Sequence, residues 1–464
     1  MKISMETKEL PKAPSFWKII GPSFIFLGLS LGSGELVLWP YMAANYGLGI
    51  LWGALLGITF QFIMNMEIER YALVRGESVF VGFWKLGRYW SLWFILSTFI
   101  AWGLPGFSAA GSQLLNQLFG FANETLVAVI LLLLTGLILS IGKTLYRTME
   151  VLQKSIIIFG TIFISLLVFL LTKLTDWQAA AFGLIGQGEG YRFLPAGISF
   201  MSFLGAFAYA GAGGNLNLAQ SYYVKEKGYG MGKYSQKIKS LFAKGGSDVS
   251  LKGTTFENNK ASRFEFKKWW RVINLEHFFV FWLLGFLTIT LLAVLSYSLV
   301  HGEAGVKEGI NFLFMESQII GQKVTPVFGF VFLLLGFMML YSTQIGVLES
   351  TSRIISENFF LLSQGKSSEL KVNLSKLFYL ALWGQITFGI SVLLLGFKEP
   401  RLLLTLAAVI NAFCMFVHLG LTYFLNKKML PSELRPALWR KAILLIAFIF
   451  FGVFSFLTLR QGLR

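Results

Sequence analysis

Cysteine is nearly absent: Cys414 is the only one in 464 residues. It lies inside an apolar run, so no disulfide framework and no thiolate metal centre can form. Charge is also scarce, at 14% of residues against 55% hydrophobic, where soluble globular chains average about 25% charged. That deficit implies that most of the surface does not face water. No His-Glu-x-x-His, paired-Asp or Gly-x-Ser-x-Gly constellation occurs in any apolar run, so an enzyme is not expected. No cleavable signal is read at the amino terminus either, because Met1 to Lys18 is polar and basic and the first apolar run lacks a small-residue cleavage site.

What is present is apolar and aromatic, with 47 Phe and 13 Trp, residues suited to lipid contact and interfacial belts. The net charge of +17 is distributed unevenly. Most Lys and Arg fall in the amino-terminal tail and in the connections from even- to odd-numbered spans. This is the positive-inside pattern of a membrane protein rather than a nucleic-acid groove. It predicts a multi-pass protein of the cell membrane, of prokaryotic plasma-membrane type, with a cytoplasmic amino terminus and the lipid bilayer as its main partner.

A membrane-crossing helix needs about 20 mainly apolar residues. Eleven such runs are predicted, near 18–46, 48–74, 89–115, 124–142, 149–173, 196–224, 273–300, 324–348, 377–397, 400–424 and 441–459. The 225–271 connection carries twelve Lys or Arg against Glu226, Asp248, Glu257 and Glu265. Its Lys237 to Phe242 stretch suits anionic lipid. The Gly186-Gln187-Gly188-Glu189-Gly190 cluster has no strand before it, so it reads as a turn rather than a phosphate loop.

Two spans are interrupted by small residues. Span 1 runs to Leu27, passes through Gly28 to Glu35 with Gly32-Ser33-Gly34-Glu35 at its centre, and resumes at Leu36. Span 6 runs to Tyr209, then reads Ala210-Gly211-Ala212-Gly213-Gly214-Asn215 before Leu216-Asn217-Leu218. Broken helices at matching places of two five-span halves mark an inverted-repeat transporter with a midplane site. Unwound backbone at that depth must line a cavity or be buried in protein.

Gly21-Pro22-Ser23-Phe24 ahead of the first break, Arg70-Tyr71-Ala72-Leu73-Val74-Arg75-Gly76-Glu77, Tyr146-Arg147-Thr148-Met149-Glu150 and Asn215-Leu216 together resemble the Nramp family of divalent-metal transporters over about residues 15–425. The resemblance implies an all-α, LeuT-type fold with spans 1 and 6 unwound. Its parts would be a 1–17 tail, a first five-helix repeat at 18–173, a second at 196–424 and an additional span at 441–459. The family's span-1 Asp-Pro-Gly-Asn falls on Gly32, Ser33, Gly34 and Glu35, and its span-6 Met-Pro-His on Ala212, Gly213 and Gly214. The aspartate and methionine ligands are therefore replaced by Gly32 and Ala212, and the asparagine ligand by Glu35.

The candidate substrate site is Gly32, Ser33, Gly34, Glu35, Tyr209, Ala212, Asn215 and Asn217. Glu35 and Asn215 are the candidate metal ligands, because a carboxylate and amide oxygens suit Mg²⁺, Mn²⁺ or Ca²⁺. An ionisable residue inside a span marks function by default. Ser342, Thr343 and Gln344 are further cavity candidates, and Asn411 and His418 share one face of span 10. Glu67, Glu69, Arg70, Glu150 and Lys154 are expected to form an inner gate. Span 3 carries no ionisable side chain besides tyrosine and span 9 is uncharged from Leu377 to Phe397, so proton coupling is not expected to run through them. The predicted function is secondary transport of a divalent cation by alternating access, with no cofactor; the alternative is a small organic solute such as an amino acid or amine.

Overall fold

A computed structural model describes residues 5–141, 145–235, 249–306, 309–364, 371–372 and 374–462. The Lys237 to Phe242 stretch lies outside the described residues. Among the described residues, ten helices are long and apolar enough to cross a membrane. Spans 1 to 5 are Pro22–Tyr46, Leu48–Arg75, Trp90–Phe119, Glu124–Ile141 and Met149–Leu171. Spans 7 to 11 are Lys260–Val300, Pro326–Ser363, Leu374–Leu394, Pro400–Met429 and Leu438–Gln461. The eleventh expected segment, span 6, is missing from this set because it is not one helix. It comprises Phe200–Ala208, a turn through Tyr209 to Gly213, a 3₁₀ stretch Gly214–Ala219 and a helix Gln220–Lys227. The protein is an all-α polytopic membrane protein.

Burial orders the bundle. Span 1 is the centre, with 94% of its apolar window buried, whereas spans 4, 5 and 11 bury only 28–33% and form the rim. On span 4, Leu126, Ile130, Leu133 and Leu137 lie on an outward apolar face, the three- and four-residue spacing of a helical stripe. Against lipid such a stripe needs no cover.

Span 7 begins thirteen residues earlier than hydropathy suggests. Asn259 caps its start by accepting from the Ser262 amide at 2.9 Å, a standard helix-initiating contact. Phe266, Trp269 and Ile273 then form a buried stripe. The expected 225–271 connection therefore ends in helix, because this stripe outweighs the intervening charges. The amino-terminal tail docks on the same region. Glu6–Thr7 pairs in parallel with Thr254–Thr255, and Trp269 donates its indole N–H to the Pro11 carbonyl at 2.6 Å.

Candidate functional site

The small residues of span 1 change its hydrogen-bonding register. Leu31–Leu38 is π-helical between the α-helices Pro22–Ser30 and Trp39–Tyr46, and the Trp39 amide donates to the Gly34 carbonyl five residues back. Such widened turns occur often at functional sites. The interruption expected at Gly32–Glu35 is thus present as a widening of the helix, with the backbone largely self-satisfied. Span 6 opens fully, so its backbone must find partners elsewhere.

Gln61 of span 2 supplies two of them. Its amide nitrogen donates to the Ala208 carbonyl at 3.0 Å, and its amide oxygen accepts from the Gly213 amide at 3.1 Å. One side chain therefore bridges both ends of the unwound turn. His418 meets the Gly214 carbonyl at 2.9 Å through Nε2. Gly213 and Gly214 have φ of +77° and +54°, the left-handed region that glycine enters without a steric penalty. A Cβ on Gly214 would also stand 1.8 Å from Asn411 Oδ1.

The two interrupted spans touch. A Cβ on Gly34 would lie 1.6 Å from the Tyr209 carbonyl oxygen, so the backbones of spans 1 and 6 are in direct contact. Gly32 faces span 8: its amide donates to Thr343 Oγ1 at 3.0 Å, and that hydroxyl donates to the Gly28 carbonyl at 2.8 Å. Tyr209 stacks on Trp102 of span 3 with ring centroids 5.3 Å apart, and its hydroxyl accepts from Asn411 Nδ2 at 3.0 Å. Gln61 and Trp102 carry no signal in the sequence beyond lying inside apolar runs.

Glu35 is fully buried but faces span 7. Its carboxylate accepts from Ser30 Oγ at 2.6 Å and from Thr288 Oγ1. Asn215 instead donates to Ser97 Oγ at 2.8 Å and Thr98 Oγ1 at 2.9 Å, both on span 3. Glu35 and Asn215 therefore share no partner, and no group of three His, Cys, Asp or Glu able to hold a metal occurs among the described residues. Around the break, hydrogen-bonding capacity is left over. Ser33 Oγ, Asn215 Oδ1, both amide atoms of Asn217, Asn411 Oδ1 and Gln344 Oε1 are buried with no protein partner. Buried polar atoms are satisfied in the great majority of cases, so these leave free hydrogen-bonding capacity on the two interrupted spans and their neighbours. Ala212 is buried in the same turn and supplies only backbone.

The expected gate residues divide into separate networks. Glu150 receives Lys154 of span 5 at 2.7 Å and Lys227, at the end of span 6, at 3.0 Å. Both lysines also reach the Ile20 carbonyl before span 1. Glu67 instead pairs with Arg70 at 2.6 Å and Arg440 of span 11 at 3.4 Å. Glu69 is buried, and its Oε2 has no hydrogen-bond partner. A third network escaped the sequence reading: Arg353 of span 8 binds Glu349 and, at 3.1 Å, Glu226 beyond the span-6 break.

No protein-family model and no curated protein sequence matches the chain. Solved structures do match. Crystal structures of a manganese transporter from Eremococcus coleocola align at 14% identity and TM-score 0.69, covering 98% of this chain and 89% of that one. The same transporter in complex with an aromatic bis-isothiourea substituted compound aligns at TM-score 0.67, with the same identity and coverage. A nucleobase-cation-symport-1 family transporter, closed around bromovinylhydantoin, aligns at 11% identity and TM-score 0.51, over 99% and 96% of the two chains. The chain has the LeuT-type fold that these transporters share.

Proposed function

We propose that the chain is a secondary carrier that works by alternating access and moves a divalent cation through the span 1–span 6 interruption. The observation that carries this reading is the unwound Tyr209–Gly213 turn, seated on Gly34 among buried oxygens that no protein group satisfies. The unsatisfied side-chain acceptors are oxygens, and the Glu35 carboxyl follows Gly34 directly in span 1, although it faces span 7. That is a hard-ligand setting suited to Mg²⁺, Mn²⁺ or Ca²⁺. The fold it shares with a manganese transporter supports a metal cargo and a place beside the Nramp family.

Alternating access needs ties that break at one end while others hold. Glu150 joins the ends of spans 1, 5 and 6 through Lys154, Lys227 and the Ile20 carbonyl. Arg353 joins span 8 to the far half of span 6. Release of these bonds would free the ends of spans 1, 5, 6 and 8 that they join and open the site on the face that carries the tail.

A second reading has its own observation. The Tyr209–Trp102 stack suits a small organic solute with a flat or cationic portion, such as an amino acid or amine. Flux assays in proteoliposomes separate the two. Saturable Mn²⁺, Mg²⁺ or Ca²⁺ uptake that Glu35→Gln and Asn217→Ala both reduce supports the cation. Organic-solute flux without metal flux overturns it, and the absence of saturable flux of either kind sinks the carrier itself.

A further inference from the structure

A cavity of about 760 Å³ opens on the face that carries the amino-terminal tail, away from the midplane site. Three elements build it: the end of span 2, the early turns of span 7 and the connection from span 10 to span 11. Its core is Trp270. The Arg70 guanidinium lies 3.8 Å from that ring's centroid and the Arg440 guanidinium 5.0 Å from it. Glu67 pairs with both arginines, so these two are largely compensated.

The remaining charge is not compensated. Arg263, Lys267 and Arg271 follow one another at four-residue intervals along span 7, which sets them on one helical face, and all three line the cavity. Arg435 faces them from the span 10–11 connection. Of these, Arg263 has a carboxylate, Glu433 at 3.5 Å on the rim. Lys267, Arg271 and Arg435 are exposed and form no ion pair among the described residues. Their like charges line one shared cavity, a setting that favours an anion between them.

The rest of the wall is apolar. Phe266, Phe278 and Leu434 line it, and beside its mouth Leu275, Phe279, Leu438 and Trp439 are exposed where lipid surrounds the bundle. A cationic end joined to a greasy wall that opens on the bilayer matches one kind of ligand. We propose that this cavity binds the phosphate headgroup of an anionic phospholipid. Lys267, Arg271 and Arg435 hold the phosphate, and the acyl chains run out along Phe278 and Trp439. Guanidinium groups suit phosphate because their forked donors match its oxygens. Basic pockets between membrane helices are established headgroup sites. Because Arg440 and Arg70 fix spans 11 and 2 to the same tryptophan, an occupied cavity would also brace the rim span against the core.

The test uses the full chain purified in neutral detergent, with phosphatidylglycerol, phosphatidylcholine or inorganic phosphate added. Native mass spectrometry reads lipid retention, and thermal unfolding reads stabilisation. The triple variant Lys267→Gln, Arg271→Gln, Arg435→Gln changes only exposed side chains, and its unliganded melting temperature checks that it folds. Phosphatidylglycerol is expected to be retained and to raise the wild-type melting temperature, while phosphatidylcholine does neither. Affinity should fall about fivefold for each cation removed, given roughly 1 kcal/mol per charge. A control that removes Lys427 and Lys428 as glutamines, outside the cavity, should leave retention unchanged. Equal retention of the two lipids, an unaffected triple variant, or an equal loss in the control overturns the proposal. So does an equal stabilisation by inorganic phosphate, which would mark a site for free anions.

Discussion

Gly34 and Tyr209 meet backbone to backbone: a methyl group on Gly34 would lie 1.6 Å from the Tyr209 carbonyl oxygen. No side-chain rotation relieves such a contact, because both partners are main chain. Gly34→Ala must therefore force span 1 and the unwound turn of span 6 apart. Overpacking of this kind costs about 1–3 kcal/mol, and here the strain falls on the proposed cargo site. The expected outcome is loss of transport together with a melting temperature lower by several degrees. Gly160→Ala is the matched control. Its added carbon would meet Leu335 at an ordinary 3.5 Å, and alanine favours helix over glycine by roughly 0.5–1 kcal/mol. It should therefore be neutral or mildly stabilising. Equal behaviour of the two variants in flux and unfolding assays would refute the contact.

Gln61 bridges the Ala208 carbonyl and the Gly213 amide, so its removal strands two buried backbone groups at once. Each unsatisfied group costs about 1–3 kcal/mol. Gln61→Leu keeps the size of the side chain and removes both bonds, so it should destabilise strongly and abolish transport. Gln61→Glu keeps an acceptor for Gly213 and loses the donor to Ala208, so thermal unfolding should rank it between wild type and leucine. A leucine variant with wild-type flux would show that the turn needs no bridge.

The two interruptions were legible in the sequence because glycine at membrane depth is informative: Gly32-Ser33-Gly34 and Gly211 to Gly214 are where the helices depart from α geometry. Their forms were not legible. A π-helical widening and a full opening look alike as glycine runs, and only the position of Gln61 shows which carbonyls are freed. Glu35 stands out in the sequence as a carboxylate inside an apolar span, but the face it presents depends on helix register, which the π stretch alters. The helix over 260–271 was missed because its Lys and Arg masked the Phe266, Trp269 and Ile273 stripe. Arg353 lies beyond the apolar run 324–348, whereas the helix runs on to Ser363.

Arg353 is buried between Glu349 and Glu226. Removing one member of a buried ionic group costs about 3–5 kcal/mol, because the partners are left uncompensated. Arg353→Met should consequently lower the melting temperature more than any change at an exposed cation such as Lys428. Arg353→Lys restores charge but not the fork that reaches two carboxylates on different elements, so it should recover only part of the loss. Unfolding of the double variant Arg353→Met, Glu349→Gln checks the argument. It should be more stable than Arg353→Met alone, since one stranded carboxylate is gone.

Glu150 makes a different prediction, because its network is partly exposed: Lys154 and Lys227 keep 30% and 24% of their side-chain surface. Solvent-screened pairs contribute about 0–1 kcal/mol each, so Glu150→Gln should leave the fold intact. Its effect should fall on the balance between conformers. Losing both pairs would shift that balance by at most roughly 2 kcal/mol, or up to about thirtyfold in population. The shift should favour the state open on the face that carries the tail. Labelling of Ser33→Cys in a Cys414→Ser background reads it directly, since Ser33 is buried and the native cysteine is removed. Glu150→Gln should accelerate labelling from the tail side several-fold and leave labelling from the opposite side unchanged or slower. Acceleration from both sides would mean general loosening, and no acceleration would mean that Glu150 does not hold the gate.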